Sequence, residues 1–305
     1  MPPRRLRALL LLPFFVLACL AGTTTSSASA DTYTPVTVIS DSVLTSILWY
    51  SDNLNTLGQG FELDMHVAVG RRLSGVSLPW NGVPAPTVTD LIPTIPIYPT
   101  VIVEMGYNDD PVAFKAEAEQ VIDMLLARGA QHIIWPTLAV SSPSFTSMNN
   151  DLDSLLIAHP QLTLADWNAY SGSHPEWFQN DHLHLMPSGG GGMATLLHGA
   201  LVSSLANGTT LSLPQARKGR RFSTLLQAPP NAGPVSWRVA SGALPRGLNL
   251  QTSGVLAGTP QVSGTFNADT LVETASDLIS HVHVTMSVLK PPPPPPPHHK
   301  KKRAQ

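Results

Sequence analysis

The sequence predicts an α/β fold with a parallel sheet, followed by a small all-β domain. Two observations predict the first part: five short apolar runs recur before residue 206, and helix-like segments lie between several of them. A third observation concerns the later part, where short β-prone pieces follow one another between turn residues. With 305 residues, the chain is long enough for both domains.

The elements of the α/β part follow from the apolar pattern. Strands are predicted at Val36–Ile39, Phe61–Val69, Thr100–Met105, Gln131–Leu138 and Leu162–Trp167. Helices are predicted over Pro111–Arg128, Met148–His159 and Met193–Leu205, and Asp109 or Asp110 would cap the first of them. Alternating strands and helices favour a parallel sheet covered on both faces, with sites at the carboxyl ends of its strands.

The domain boundaries follow from changes in composition. Residues 31–206 form the predicted α/β domain, and residues 207–221, with the basic cluster Arg217–Arg221, predict a linker. Residues 222–290 predict a small β-sandwich, with strands near Val235–Val239, Leu248–Leu250, Val255–Ala257, Thr265–Asp269 and His281–Val288. The polyproline run and basic end at 291–305 predict an extended tail that packs on nothing.

The first thirty residues predict a secretory signal peptide. Basic residues precede an apolar stretch, and Ser-Ala-Ser-Ala ending at Ala30 gives an A-x-A cleavage pattern. Residues 16–19 loosely resemble a lipoprotein signal ending in Cys19, but the Ala30 site is the better match. We therefore expect a secreted protein, and no later stretch is apolar enough to predict a membrane span.

Charge and motif content narrow the possible partners and cofactors. A formal net charge of −2 does not favour nucleic acid as a partner. His182 and His184 form a His-x-His pair, but no further ligand follows at metal-binding spacing, so neither metal nor cofactor is predicted. Gly189–Ala194 fits a loose dinucleotide-binding pattern, but it does not follow the first strand in a strand–turn–helix unit, as that pattern requires. A flexible loop before the last helix is therefore the preferred interpretation.

A group of polar residues follows the predicted strands. Ser42 stands after the first strand, where it would be either a helix cap or a nucleophile. A nucleophilic serine needs a base and an orienting carboxylate, and Asp181 and His184 lie three residues apart in one late segment. Gly70 and Asn108, after the second and third strands, could donate hydrogen bonds to a developing oxyanion.

In this order, these residues resemble the SGNH (GDSL-type) hydrolase superfamily, and especially the SGNH domains associated with bacterial acyltransferases. The matching blocks are Ser40-Asp41-Ser42, Gly70, Gly106-Tyr107-Asn108-Asp109 and Asp181-His182-Leu183-His184, accompanied by Asp166-Trp167 and Trp177-Phe178. The resemblance covers about residues 35–206 and implies a flavodoxin-like, three-layer domain with a parallel five-stranded sheet.

The resemblance also implies roles for individual residues. Ser42 would be the nucleophile, His184 the base and Asp181 the residue that orients it. The backbone N–H groups of Ser42 and Gly70 and the Asn108 side chain would form the oxyanion hole. The implied activity is that of a secreted serine esterase that hydrolyses or transfers acyl esters, with short acyl groups on carbohydrate first among the substrates and lipid esters left open.

Several residues depart from the family pattern or leave it ambiguous. Ser40 and His182 stand where the family commonly has glycine, and Gly75 competes with Gly70 for the second block. Ser40 and His182, together with the Ig-like module described below, motivate an alternative from another class, a cell-wall-associated binding or spacer protein with an inactive hydrolase domain. Trp80 and Tyr107 would either line the acyl or sugar pocket or pack in the core.

The second domain resembles the Ig-like repeat of bacterial surface proteins. The resemblance rests on the segment from Leu244 to Leu248 and on Gly258-Thr259-Pro260, which are turn and strand-start residues. It implies a spacer or adhesion module without catalytic residues. Together with the basic tail, this domain could contact cell-wall polymers.

Overall fold

The computed structural model describes residues 33–206, 210–226, 235–275 and 277–291. The predicted signal peptide, nearly all of the predicted tail and residues 207–209 of the predicted linker lie outside this part of the chain. The elements of the first region are β1 (Thr34–Ser40), α1 (Thr45–Trp49), α2 (Ser51–Leu57), β2 (Phe61–Val67), β3 (Pro79–Trp80), β4 (Val83–Pro84), α3 (Val88–Leu91), β5 (Thr100–Glu104), α4 (Phe114–Ala127), β6 (His132–Pro136), α5 (Pro143–Ala158), β7 (Leu162–Ala165), α6 (Trp167–Ser171), a 3-10 turn (Pro175–Trp177) and α7 (Pro187–Ala206). Those of the second region are β8 (Leu211–Ser212), β9 (Ala216–Arg217), β10 (Phe222–Leu225), β11 (Val235–Gly242), β12 (Leu248–Leu250), β13 (Val255–Gly258), β14 (Gly264–Thr274) and β15 (Leu278–Leu289).

The five predicted strands of the first region form a parallel sheet in the order β2-β1-β5-β6-β7. This is the flavodoxin-like order, so the predicted fold class is confirmed. In register, Ser40 at the end of β1 lies between Val67 of β2 and Glu104 of β5. The order reverses between β1 and β5, and ligands of such sheets bind outside the strand ends at this point.

Helices cover both faces of the sheet. On one face, apolar residues of α1, α2 and α7 pack against Val36, Val38 and Ile134. On the other face, residues of α3, α4 and α5 pack against Val101, Val103 and Ile133. The strands are buried on both sides, which explains why they read as continuous apolar runs in the sequence.

Helix α4 begins later than predicted, and neither candidate aspartate caps it. The residue before the helix is Ala113, which makes no side-chain capping bond. Asp110 Oδ1 instead accepts from Val112 N at 3.0 Å, which closes a turn ahead of the helix. Asp109 Oδ1 accepts from Leu73 N at 2.7 Å and so connects the end of β5 to the segment after β2.

Helix α7 begins earlier than predicted, and the prediction of a loop at Gly189–Gly192 is wrong. These glycines lie in its first turns. A Cβ atom at Gly189 would lie 2.2 Å from the backbone oxygen of Trp177, and one at Gly192 would lie 2.5 Å from the Trp177 ring. Glycine costs helix stability, but here the missing side chains let the Trp177 segment pack directly on the helix.

The second region is a small β-sandwich, as predicted. A three-stranded sheet in the order β10-β13-β12 faces a sheet that contains β11, β14 and β15. Trp237, Leu256, Val272 and Met286 are among the buried residues of its core. Strands β8 and β9 lie within the predicted linker and pair with β15, so the described residues of that segment belong to the sandwich.

A shared sheet joins the two regions. Leu278 and Ile279 of β15 pair antiparallel with Ala165 and Leu164 of β7. Asp277 O also accepts from Asp166 N at 2.7 Å. The Ig-like region therefore covers the edge of the parallel sheet, where unpaired backbone groups would otherwise be open to other chains. None of the helices in the described residues is both long and apolar enough to cross a bilayer.

Candidate active site

Ser42, His184 and Asp181 form a continuous hydrogen-bonded chain. His184 Nε2 lies 2.9 Å from Ser42 Oγ, and His184 Nδ1 lies 2.7 Å from Asp181 Oδ2. A carboxylate only accepts hydrogen bonds, so Nδ1 of the neutral ring carries the proton and Nε2 is left to accept from the serine hydroxyl. This is the arrangement in which a histidine acts as a general base toward serine.

The turn after β1 presents Ser42. The strand ends at Ser40, and Asp41 Oδ1 accepts from Val43 N at 2.9 Å, which closes a tight turn around Ser42. Ser42 O then accepts from Thr45 N at 3.1 Å as α1 begins. The serine is thus held between the strand and a short helix, at the carboxyl edge of the sheet.

The segment that carries Asp181 and His184 is a short closed loop. Asp181 Oδ1 accepts from the backbone N–H groups of Leu183 and His184, each at 3.0 Å. Gln179 N donates to His184 O at 2.7 Å and closes the loop. The three-residue spacing therefore lets one carboxylate hold the backbone of the loop with one oxygen and the imidazole with the other.

These bonds determine the ionisation of Asp181. Burial raises its pKa, but the hydrogen bond to His184 and the backbone N–H groups of Leu183 and His184 outweigh burial. The net result is a pKa below the ordinary value. Asp181 is therefore ionised near neutral pH and can accept a hydrogen bond from the His184 ring.

Gly70 lies at the same cavity as Ser42. It has a φ of +72°, and a Cβ atom there would lie 2.4 Å from Leu78 O, so only glycine fits without rearrangement. In the described residues, its N–H and that of Ser42 have no hydrogen-bond acceptor. Gly75, the other candidate from the sequence, is not among the residues that line this cavity.

Asn108 also reaches the cavity, but its amide is already engaged. Nδ2 donates to Asp41 Oδ2 at 3.0 Å and to Arg71 O at 3.2 Å. An amide nitrogen has only two hydrogens. A bound oxyanion would therefore compete with one of these acceptors, and the Arg71 carbonyl makes the longer bond.

Two buried carboxyl groups lie next to the turn that carries Ser42. Ser40 Oγ donates to Glu104 Oε2 at 2.6 Å, and the carboxyl groups of Asp41 and Glu104 also share a hydrogen bond. Burial raises the pKa of Asp41 to about 6, and burial together with the Asp41 charge raises the pKa of Glu104 well above its ordinary value. This upward shift favours the protonated form of Glu104, which can donate a hydrogen bond to Asp41.

A cavity of about 550 Å³ opens beside Ser42. Its lining includes two tryptophans and several uncharged polar residues: Ser42, Thr45, Ser46, Trp49, Val69, Gly70, Leu78, Pro79, Trp80, Asn108, Gln179, His184 and Leu185. His182, with a φ of +56°, lines a different cavity together with Asn168 and Phe178. The two histidines of the His-x-His pair therefore serve separate cavities.

The structure also decides between the open interpretations of two aromatic residues. Trp80 lines the cavity. Tyr107 packs edge-on against Phe145 and accepts from Ala139 N at 2.8 Å, so its role is packing. The sequence analysis did not identify Trp49 or Glu104 as residues of the site. Glu104 could have been noticed, because it is a lone carboxylate within the apolar run of the third predicted strand, which is β5 in the structure.

Comparisons with known proteins agree with the two resemblances drawn from the sequence. Residues 203–288 match the family model described as "Putative Ig domain". The "Putative peptidoglycan O-acetyltransferase YrhL" of Bacillus subtilis is 29% identical over 103 residues, which make up 34% of this chain and 16% of that protein. The chain therefore matches only a small part of this relative's length.

Two of the similar solved structures are described as a carbohydrate esterase and a putative arylesterase. A carbohydrate esterase family 3 protein from Talaromyces cellulolyticus has a TM-score of 0.44 and 12% identity over 58% of this chain and 100% of that chain. A structure described as a "putative arylesterase" from Agrobacterium tumefaciens has a TM-score of 0.44 and 14% identity over 56% of this chain and 99% of that chain.

Proposed function

We propose that this protein is a secreted serine esterase that hydrolyses or transfers short acyl groups carried by carbohydrate. The observation that supports it most is the hydrogen-bonded chain from Ser42 through His184 to Asp181 at the carboxyl edge of the parallel sheet. This arrangement can activate a serine hydroxyl near neutral pH without a cofactor.

The reaction has two stages. Ser42 Oγ attacks the ester carbonyl carbon while His184 Nε2 takes the hydroxyl proton, and the carbonyl oxygen becomes an oxyanion. As the tetrahedral intermediate collapses, the bond to the alcohol breaks and His184 returns the proton to the leaving oxygen, which leaves an acyl-enzyme. Water then attacks the acyl-enzyme in the same manner and releases the acid; an alcohol in its place completes a transfer.

The oxyanion would be stabilised by three groups. The Ser42 and Gly70 N–H groups have no acceptor in the described residues, so a substrate oxygen would be their first partner. Asn108 would turn one N–H from Arg71 O toward the oxyanion while the other stays on Asp41. Such donors act because they are already oriented toward the charge that develops in the transition state.

The acyl and alcohol parts of the substrate are proposed from the relatives and the cavity. The name of one relative refers to O-acetylation of peptidoglycan, which supports an acetylated glycan as the ester. Secretion through residues 1–30 would place the enzyme where such polymers occur. We propose residues 31–206 as the catalytic domain and the Ig-like region at 222–290 as a module that could contact the cell wall.

The alternative, an inactive binding or spacer protein, rested on Ser40, His182 and the Ig-like module. The Ser40 side chain bonds to Glu104, and His182 faces another cavity. Neither residue disturbs the distances between Ser42, His184 and Asp181. A pulldown on cell-wall material with the Ser42→Ala chain tests the binding role separately, since retention no greater than that of a control protein would count against it.

The experiment that tests the proposed function uses residues 31–305, because β15 pairs with β7 and a shorter chain would open the sheet edge. Hydrolysis of p-nitrophenyl acetate, butyrate and octanoate should decrease with acyl length. Ser42→Ala should remove it, whereas Ser154→Ala, a serine change in α5, should not. Equal turnover by the parent and Ser42→Ala would refute the proposal.

A further inference from the structure

Two tryptophans stand at the mouth of the cavity that holds the nucleophile. Trp49 is the last residue of α1, and Trp80 lies in the β3–β4 hairpin. Both line the cavity with Ser42 and His184, yet their side chains are 71% and 61% exposed. Large aromatic side chains are usually far more buried, so two exposed indoles at one cavity indicate a binding surface.

The hairpin holds Trp80 in a defined position. Asn81 and Gly82 have φ values of +50° and +80°, as a tight two-residue hairpin turn requires. Leu78 N donates to Gly70 O at 2.8 Å, which ties the base of the hairpin to the proposed oxyanion hole. The hairpin that carries Trp80 is therefore hydrogen-bonded directly to Gly70.

The remaining lining of the cavity indicates the chemistry of its occupant. Among the described residues that line it, His184 is the only one that titrates near neutral pH, and the other polar groups are the neutral hydroxyls and amides of Ser42, Thr45, Ser46, Asn108 and Gln179. An anionic polymer or a phospholipid headgroup would call for lysine or arginine here. A long acyl chain would call for an enclosed apolar channel, but the largest apolar side chains lie open at the surface.

A sugar ring satisfies all of these features. A pyranose has an apolar C–H face that stacks on an indole, and its rim of hydroxyl groups pairs with neutral donors and acceptors. The volume of about 550 Å³ lies in the usual range for small-ligand sites and exceeds what a short acyl group alone would fill.

We propose that Trp49 and Trp80 are aromatic platforms that bind pyranose rings of an O-acylated glycan on the alcohol side of the ester. The two tryptophans would then determine specificity for the alcohol, while Ser42 and His184 act on the ester itself. This inference rests on the proposed esterase function and adds the residues that select a glycan chain.

The test compares one ester that reaches the platforms with one that is too small to do so. Acetylated xylo-oligosaccharides and O-acetylated muropeptides carry pyranose rings, whereas ethyl acetate does not. We expect Trp49→Ala and Trp80→Ala each to lower kcat/KM at least 10-fold on whichever of these two glycan esters the parent chain hydrolyses more efficiently. On ethyl acetate, each change should alter kcat/KM less than 3-fold. Trp80→Phe should recover part of the loss.

Matched controls are available close to both tryptophans. Leu48 in α1 and Val76, which precedes the hairpin, are also exposed, but they do not line the cavity, so Leu48→Ala and Val76→Ala should leave both activities unchanged. A preference for the xylo-oligosaccharide or for the muropeptide would identify which kind of glycan the protein acts on, and the proposal predicts the tryptophan effect in both cases. As a second readout, an unacetylated oligosaccharide should quench the tryptophan fluorescence of Ser42→Ala, and less so when Trp80 is also changed.

The outcomes separate this inference from the proposed function. No turnover of ethyl acetate or any glycan ester by the parent chain would refute the esterase itself. Full ethyl acetate turnover, with glycan kcat/KM unchanged in both tryptophan variants, would refute the platforms alone. Equal losses on both substrates would also refute them, because the tryptophans would then serve the reaction rather than the alcohol.

Discussion

The Ser40 hydroxyl donates a 2.6 Å hydrogen bond to Glu104 Oε2, and both side chains are buried where β1 and β5 end side by side. Ser40 stands where the SGNH hydrolases that the sequence resembles commonly have glycine. In this chain its hydroxyl joins the pair of carboxyl groups next to the Ser42 turn. The departure from the family pattern therefore has a bonded partner within the fold.

Removing either partner of this bond should destabilise the protein. Ser40→Ala leaves Glu104 Oε2 without its donor, and we expect the free energy of unfolding to fall by about 1–3 kcal/mol. Glu104→Ala should cost more, because it also removes the hydrogen bond to Asp41 and leaves a cavity. Glu104→Gln keeps a neutral hydrogen-bonding group and should stay closest to the parent. Denaturant unfolding measures the order of stability, and a Glu104→Gln variant as unstable as Glu104→Ala would contradict the view that Glu104 acts as a neutral hydrogen-bonding group.

Asn108 should matter for turnover more than for folding. We expect Asn108→Ala to lower kcat by about 10²–10³, the usual loss for one oxyanion-hole donor. Asn149 provides the control, since its side chain bonds to both Leu138 N and Leu138 O, away from the cavity. Asn149→Ala should lower the unfolding temperature but change kcat only a few-fold. A kcat for Asn108→Ala within a few-fold of the parent would limit Asn108 to holding Asp41.

Asp109 should make stability depend on pH. Burial raises its pKa to about 7, against the opposing hydrogen bond from Leu73 N. Because the folded-state pKa exceeds the unfolded value, the folded state binds the proton more tightly. Its contribution to stability is complete below about pH 4 and is lost as pH rises through about 7. Asp109→Asn should reduce the drop in unfolding free energy between pH 5 and pH 8 by on the order of 2 kcal/mol. An unchanged drop, measured by denaturant titration at both pH values, would contradict the assignment.

Replacing glycine by alanine should have opposite effects on stability at two positions of α7. At Gly192, an added Cβ would lie 2.5 Å from the Trp177 ring, so Gly192→Ala should destabilise the protein by about 1–3 kcal/mol. At Gly199 the nearest atom would be 3.8 Å away, and Gly199→Ala should be neutral or stabilise by about 0.5–1 kcal/mol through helix propensity. Thermal unfolding of the two variants measures the contrast. A Gly192→Ala variant as stable as Gly199→Ala would mean that Trp177 does not pack as described.

Much of the fold and the candidate site could be predicted from the sequence. The strands of a buried parallel sheet appear as continuous apolar runs, and all five were located. Polar residues after those strands, such as Ser42 and Asn108, had to meet because neighbouring strand ends share one edge of the sheet. The close spacing of Asp181 and His184 likewise predicted a local hydrogen bond.

What could not be predicted depends on contacts between distant parts of the chain. Glycine propensity argued against a helix at Gly189–Gly192, and only the packing of Trp177 reverses that preference. The pairing of β15 with β7 has no local signal in the sequence, because each of these strands could equally have been the edge strand of a separate sheet. The exposure of Trp49 and Trp80 depends on what covers them, which their sequence neighbours do not indicate.

The central claim is that His184 activates Ser42 as a nucleophile. The most direct measurement is intact-mass and peptide analysis of residues 31–305 after treatment with a fluorophosphonate. One adduct should form, on the peptide that contains Ser42, and His184→Ala should slow labelling by orders of magnitude while the protein remains folded by circular dichroism. No adduct on the folded parent, or equal labelling of the His184→Ala variant, would contradict it.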